Sequence, residues 1–306
     1  MSKTVWMFPG QGAQKAGMAK DFYENSPLAK ELFDQADAAL DFDLRATCFE
    51  ENEQLHLTEY TQPCLVAACL AIAGELRKRG QKPDMTAGLS LGEYAAIAAA
   101  GGMTALDAIR LVRKRGLLMQ NTVPAGEGAM CAVLGMETGA IEAVLENRTG
   151  VTIANYNCPG QIVITGKTAE VQEAAEALKA AGARRVVPLK VSGPFHSPLL
   201  KSAGEKLSEA LAAVEMQNPE VPYYANVTAA KVTEKAEIRP LLARGVSSPV
   251  RWQQSVEAMI GDGADTFVEI GPGKTLAGFM KKINPDVKVY NIASWEDMEQ
   301  FLREHS

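Results

Sequence analysis

A short apolar run at residues 85–88 ends in Gly88-Leu89-Ser90-Leu91-Gly92 and passes without a linker into an Ala-rich helical stretch at 91–100. This corner constrains the fold more than any other part of the chain. A strand that turns directly into a helix, with one serine at the bend, belongs at the C-terminal edge of a parallel sheet. The glycines two residues to either side let neighbouring backbone come close and leave the hydroxyl standing at the sheet edge. The N–H of Leu91 then opens a helix at the same spot, where the helix dipole favours a developing negative charge. A plain turn before a helix would carry the same residues. The strand–turn–helix setting favours a nucleophile.

The surrounding pattern agrees with such a sheet. Residues 4–8 read as a buried strand stopped by Pro9-Gly10, and helical patterns follow at 27–39, 64–79 and 104–121, the last with Thr104 as N-cap. The middle of the chain reads differently: strand 127–135, helix 138–147, strands 151–155 and 161–166 joined at Cys158-Pro159-Gly160, helix 168–181, strand 185–190. This βαββαβ order is the ferredoxin-like unit. Afterwards come a helix at 199–214, a strand at 223–226, a helix beyond Val250, and a strand at 266–270 that meets Gly271-Pro272-Gly273. At 306 residues the chain is long enough for two lobes. The expected fold is therefore α/β: an α/β-hydrolase-like catalytic lobe with a parallel sheet, from residues 1–123 and 194–306, and an inserted ferredoxin-like lobe at 124–193.

Composition removes several function classes. The net charge is −6 and no concentrated basic stripe exists, so nucleic acid is not an expected partner. The longest apolar stretch, 64–74, is too short to span a bilayer. The first residues lack the basic and apolar regions of a signal peptide. The five cysteines, Cys48, Cys64, Cys69, Cys131 and Cys158, form no CxxC pair, which fits reduced thiols in a cytoplasm and no metal site.

A serine nucleophile needs a base, and the chain has only three histidines. His305 is expected to fray, and His56 sits in a polar stretch with nothing to mark a site. His196, in Phe195-His196-Ser197-Pro198, falls at the junction of the two lobes, where clefts form. A hydrogen-bonded structural histidine is the bland alternative; the weakness of the other two candidates favours the base role. No acid stands out to orient the imidazole, and a backbone carbonyl is the substitute. In the helix opened by Thr104, Ala105, Ala108, Ile109, Val112, Gly116 and Met119 form an apolar stripe, with Arg110 and Lys114 opposite. Arg115 lies at the edge of that stripe. Its spacing fits an internal salt bridge and a fork for a substrate carboxylate equally well. Gly10-Gln11-Gly12 fails the dinucleotide fingerprint, because the next glycine is Gly17, and Gly273-Lys274-Thr275 lacks the earlier glycine of a P-loop. Both read as close turns at strand ends, the first able to offer the Gln11 N–H to an oxyanion.

The combination resembles a known family. Phe8-Pro9-Gly10-Gln11-Gly12, Gly88-Leu89-Ser90-Leu91-Gly92-Glu93-Tyr94, Arg115-Gly116 with Met119-Gln120, Ala154-Asn155-Tyr156-Asn157 with Pro159-Gly160-Gln161, Phe195-His196-Ser197-Pro198, Pro249-Val250-Arg251-Trp252 and Glu269-Ile270-Gly271-Pro272-Gly273 occur in that order. Together they look like the malonyl-CoA:acyl carrier protein transacylases of fatty acid synthesis. The resemblance implies that Ser90 carries the malonyl ester and His196 acts as base. It implies an oxyanion hole from the N–H groups of Gln11 and Leu91, and a malonyl carboxylate held by Arg115. Asn155, Gln161, Met119 and Phe195 would contact substrate, and the carbonyl of Gly245 would orient the imidazole. The implied substrates are malonyl-CoA and a phosphopantetheine-bearing acyl carrier protein, with no cofactor and a monomeric enzyme. Two departures stand out. Leu89 replaces the usual His before the nucleophile, and Cys158 replaces a common Ser, which would put a thiol close to the site. Competing readings are a serine thioesterase or other hydrolase, a polyketide-pathway acyltransferase, a non-catalytic carrier-binding protein, and a cysteine nucleophile at Cys131 or Cys158.

Overall fold

The computed structural model describes residues 2–191 and 193–305; Met1, Ser192 and Ser306, which fall within the ranges read above, lie outside the described residues. The chain runs β1 (Lys3–Phe8), α1 (Lys20–Asn25), α2 (Pro27–Ala39), α3 (Leu44–Phe49), α4 (Thr58–Lys78), β2 (Met85–Gly88), α5 (Gly92–Ala99) and α6 (Ala105–Asn121). It continues with β3 (Gly128–Leu134), α7 (Thr138–Leu145), β4 (Val151–Cys158), β5 (Gln161–Lys167), α8 (Thr168–Ala180) and β6 (Arg185–Pro188). The remainder is α9 (Lys201–Ala212), β7 (Tyr223–Tyr224), β8 (Lys231–Val232), α10 (Lys235–Gly245), α11 (Trp252–Gly261), β9 (Ala264–Ile270), α12 (Thr275–Ile283), β10 (Lys288–Ile292) and α13 (Trp295–Glu304).

Two sheets form. The larger has the order β10-β9-β1-β2-β7-β8 and is parallel except for β8 at its edge. Alternation along β1 explains the two covered faces. Trp6 and Phe8 enter the main core, under α2, α4, α5 and α6. Val5 and Met7 point the other way into a second core with Trp252, Val256, Phe267 and Met280. The smaller sheet, order β4-β5-β3-β6, is antiparallel. Counted along its own βαββαβ run, that is 2-3-1-4, the ferredoxin-like order read from sequence. Its outer face carries a separate core, with Val133, Ile141, Ile164, Val171 and Leu178, under α7 and α8. Its other face contributes Met130, Ala132, Ala154 and Val163 to the main core. Among the described residues no helix is long and apolar enough to cross a membrane.

The helix expected at 64–79 begins six residues earlier, at Thr58, and carries Pro63 in its interior. A proline there removes the bond to the carbonyl four residues back, which is that of Glu59. Arg113 of α6 supplies the missing donor: its Nη1 lies 2.9 Å from Glu59 O. Tertiary structure thus repairs a break that the local sequence signals.

Gly88 and Gly92 hold the corner between β2 and α5 against β1. A Cβ on Gly92 would stand 2.1 Å from the Phe8 carbonyl oxygen, and one on Gly88 would stand 2.0 Å from the Gly92 carbonyl carbon. Backbone atoms cannot step aside, so overpacking here should be costly. Gly92→Ala is expected to lower unfolding free energy by about 2 kcal/mol or more. Gly261→Ala, at the end of α11 with open space around it, should stay within about 0.5 kcal/mol of the parent. Urea midpoints test this, and equal midpoints for the two variants would refute the close approach.

Candidate active site

The corner sets Ser90 at φ 52°, in the left-handed region that side-chain-bearing residues avoid. His196 is likewise left-handed, at φ 58°. Strain of roughly 1–3 kcal/mol at each persists only because the surroundings over-determine it. For Ser90 the fixing contacts come from Asn226, whose Oδ1 accepts the Ser90 N–H at 2.6 Å and whose Nδ2 donates to Gly88 O at 2.7 Å. For His196 they come from the last residue of α10 and the segment that follows it. Its Nδ1 lies 2.9 Å from Gly245 O and 3.2 Å from Ser248 O. Carbonyls only accept, so Nδ1 carries the proton and Nε2 keeps a lone pair. That Nε2 lies 2.7 Å from Ser90 Oγ, placed to take the hydroxyl proton. The carbonyl in place of an acid, anticipated at Gly245, is found there, with Ser248 as a second.

Burial, and after it the Arg115 charge, pull the His196 pKa from 6.5 to about 4; the two carbonyls push weakly the other way. The base is therefore neutral across the physiological range. Arg115 is 3% exposed. Its Nη1 donates to Gln62 Oε1 at 2.9 Å and its Nη2 to Ser90 Oγ at 3.2 Å, and the guanidinium sits 5.4 Å from the Tyr94 ring centroid. Among the described residues no carboxylate forms an ion pair with it. The salt-bridge alternative left open by spacing is thus absent. Its neighbour Arg113 is the one that pairs internally, with Asp41 and Glu59.

A cleft of about 290 Å³ opens over Ser90 between the lobes, lined by Gln11, Leu89, Asn155, Gln161, Phe195 and His196, with Thr275 and Phe279 from α12. Buried Glu269 fixes that helix by accepting the N–H groups of Leu276 and Ala277. The backbone N–H groups of Gln11 and Leu91 have no acceptor among the described residues, which leaves both available. Leu89 reaches the cleft wall, and its carbonyl would lie 2.6 Å from a Cβ on Gly10. The loop bearing Gln11 is thereby pressed against the nucleophile's turn.

The structure departs from the sequence reading in two places. Met119 is not in the cleft wall; it is 2% exposed, and its sulfur accepts from Gln62 Nε2 at 3.7 Å. It backs Gln62, the side chain that holds Arg115. Cys158 brings no thiol to the site: it is fully buried in the second core, packed with Val5 and Trp252. Burial raises the pKa of both Cys131 and Cys158, and neither lines the cleft, which removes the cysteine-nucleophile reading. Sequence reasoning missed Gln62, Asn226, Ser248 and Asn157. Gln62 had a signal, a polar residue beside the apolar run of α4. Ser248 acts through its backbone and had none.

A strained serine whose hydroxyl meets a carbonyl-oriented imidazole and an uncompensated guanidinium defines a serine-nucleophile acyl-transfer site. The chain belongs to the acyl transferase domain family, whose pattern matches residues 5–302. It is 46% identical to the malonyl CoA-acyl carrier protein transacylase of Bacillus subtilis, over 100% of this chain and 99% of that protein. The crystal structure of the Clostridium perfringens malonyl CoA-acyl carrier protein transacylase is 40% identical, with a TM-score of 0.95, and the match covers 99% of this chain and 97% of that one. A malonyl-transacylase solved in complex with its type II PKS acyl-carrier protein is 37% identical, with a TM-score of 0.94, over 99% and 100% of the two chains.

The electrostatics predict an unusual acid limb. With a small neutral ester as acyl donor, kcat/KM should fall only as pH approaches about 4, where the base protonates. Arg115→Ala removes one of the two depressing causes and should move that limb upward, still short of 6.5 because burial remains. A limb already at 6.5, or one unmoved by the substitution, contradicts this account. The same depression works on stability. Between pH 6.5 and about 4 the unfolded chain binds a proton that the native chain does not, so this group's contribution to stability falls as pH falls through that window.

Proposed function

We propose that the enzyme transfers malonyl from coenzyme A to the phosphopantetheine thiol of an acyl carrier protein, through a malonyl ester of Ser90. The observation that carries this reading is Arg115, a buried cation without a carboxylate partner, 3.2 Å from the nucleophilic oxygen. A cation so close to the point of attack suits an acyl group whose own carboxylate lies two carbons from its thioester carbonyl. Planar guanidinium and carboxylate can then pair bidentately.

The reaction divides into two transfers. His196 Nε2 takes the Ser90 proton as Oγ attacks the thioester carbon. The oxyanion is received by the N–H groups of Gln11 and Leu91, and coenzyme A leaves as a thiol with the proton returned by His196. The carrier's thiol gives its proton to His196 in turn, attacks the malonyl-serine, and Ser90 is restored. No electrons change hands and the thioester is already activated, so the chemistry calls for no cofactor. Asn155 and Gln161, from the small lobe, line the route by which the pantetheine arm enters. Ser90, His196, Arg115 and the Gly245 carbonyl all come from one chain, which suits a monomeric enzyme. A place in fatty acid synthesis in a cytoplasm is part of this proposal, with a polyketide pathway as the alternative, since one of the similar structures is a transacylase in complex with a type II PKS acyl-carrier protein.

Intact mass after mixing with malonyl-CoA tests the nucleophile: the parent should gain one malonyl group and Ser90→Ala none. Arg115→Ala should lose its preference for malonyl over acetyl by about 2–5 kcal/mol, because a neutral acyl group no longer faces an unpaired buried charge. An unchanged ratio would end the assignment of Arg115. Release of coenzyme A that is as fast without carrier protein as with it would favour the hydrolase reading.

A further inference from the structure

Beyond the groups that touch the acyl chain, one side chain is bonded in a way that packing alone does not require. Asn226 is 2% exposed and every polar group it owns is occupied. Its Oδ1 accepts from Ser90 N at 2.6 Å, and its Nδ2 donates to Gly88 O at 2.7 Å. Its backbone N–H donates to Glu93 Oε1 at 3.1 Å, and its carbonyl accepts from Arg251 N at 2.8 Å. The location explains the arrangement. Strand β7 is only two residues long, and its parallel pairing with β2 stops at Ala87↔Tyr224. Beyond that point the chain turns through Gly88, Leu89 and Ser90, and a regular ladder cannot follow it. The carboxamide spans the turn instead, gripping it on both sides of Leu89. Glu93 is the second residue of α5, so the corner is held from its strand side, its apex and its helix side by one residue.

Resting on the acyl-transfer reading, we propose that Asn226 is a positioning residue: its carboxamide, steadied by Glu93, holds the left-handed Ser90 so that Oγ meets His196 Nε2. Glu93 suits this work as an acceptor fixed in place; it is 3% exposed, and no basic side chain forms an ion pair with it among the described residues. A backbone shift of about an ångström at a reacting atom is enough to cost on the order of a hundredfold in rate. Among the described residues Asn226 makes no hydrogen bond to Arg115, Asn155 or Gln161, so its loss should leave their positions largely in place.

The test is single-turnover acylation by malonyl-CoA, followed by mass, alongside labelling by phenylmethanesulfonyl fluoride, which needs a reactive serine and no malonyl pocket. Asn226→Ala should acylate about 10- to 100-fold more slowly, with KM within about threefold and malonyl-over-acetyl preference intact. Asn226→Asp provides a readout that a purely structural role would not move. Its ionised carboxylate can accept from Ser90 N but repels Gly88 O. Once protonated it can make both bonds, so its rate relative to the parent should climb at least about tenfold from pH 8 to pH 5. An alanine variant acylating at the parental rate overturns the proposal. So does an aspartate-to-parent ratio that stays flat with pH; if the alanine variant does not fold, the aspartate series decides alone. A parent chain that takes the sulfonyl fluoride but no malonyl would sink the malonyl reading. Sulfonylation of the two variants would then still measure the positioning.

Discussion

One uncompensated charge governs the site. Burying a guanidinium without a carboxylate is expensive, and proteins normally avoid it or neutralise it. Here Arg115 is held by neutral groups only: the Gln62 amide oxygen, the Ser90 hydroxyl and the face of Tyr94. Each softens the cost without cancelling the charge. The same charge, after burial, helps keep His196 neutral, and so a base, where an ordinary histidine would be partly protonated. On the proposed reading, one charge serves selectivity for an acidic acyl group and adds to burial in keeping the base ready.

The two lobes are joined where the chemistry needs them joined. Between α10 and α11 the segment around residues 245–251 offers the Gly245 and Ser248 carbonyls to His196. The same segment bonds to β4 of the small lobe in both directions, from Tyr156 N to Val250 O and from Val250 N to Ala154 O. Arg251 N then reaches Asn226, which grips the nucleophile's turn. A change in the small lobe's tilt would therefore pass through one strap to the base and the nucleophile together. A cleft between two lobes can be built this way without loosening the Ser90–His196 pair.

Much of this was legible in the sequence. The corner at Ser90, the βαββαβ run and the stripe that half-buries Arg115 are local patterns whose meaning survives in the fold. What escaped was decided elsewhere in the chain. Helix α4 starts at Thr58 because Arg113, fifty residues away, takes the carbonyl that Pro63 leaves free. Helices α10 and α12 went unread. The first carries an internal Pro240, and the second follows a Gly-Pro-Gly turn and is fixed by Glu269 on the preceding strand. His305, expected to fray, hydrogen-bonds within its own helix among the described residues, and its ring stacks on Phe301 and meets Tyr290 edge-on. The roles of Asn226 and Ser248 arise from backbone that closes on the site only after folding, and no spacing rule encodes that.

Glu93 is an acid whose charge is felt by Arg115. Glu93 follows Ser90 by three residues and shares a small interior pocket with Arg115, Tyr94 and His196. Ionised, it would be the natural counter-ion, and the cation would have little left for a substrate. Burial instead pushes its pKa up to about 8, and the attraction of Arg115 is only a lesser opposing effect. At neutral pH the carboxyl therefore stays mostly protonated, and its Oε1 is spent on the Asn226 N–H. Desolvation, which makes the lone guanidinium costly, also quiets this acid, which could otherwise relieve it. The charge is left for a carboxylate that arrives with the acyl group, and the fold keeps it so by the depth at which both residues are buried.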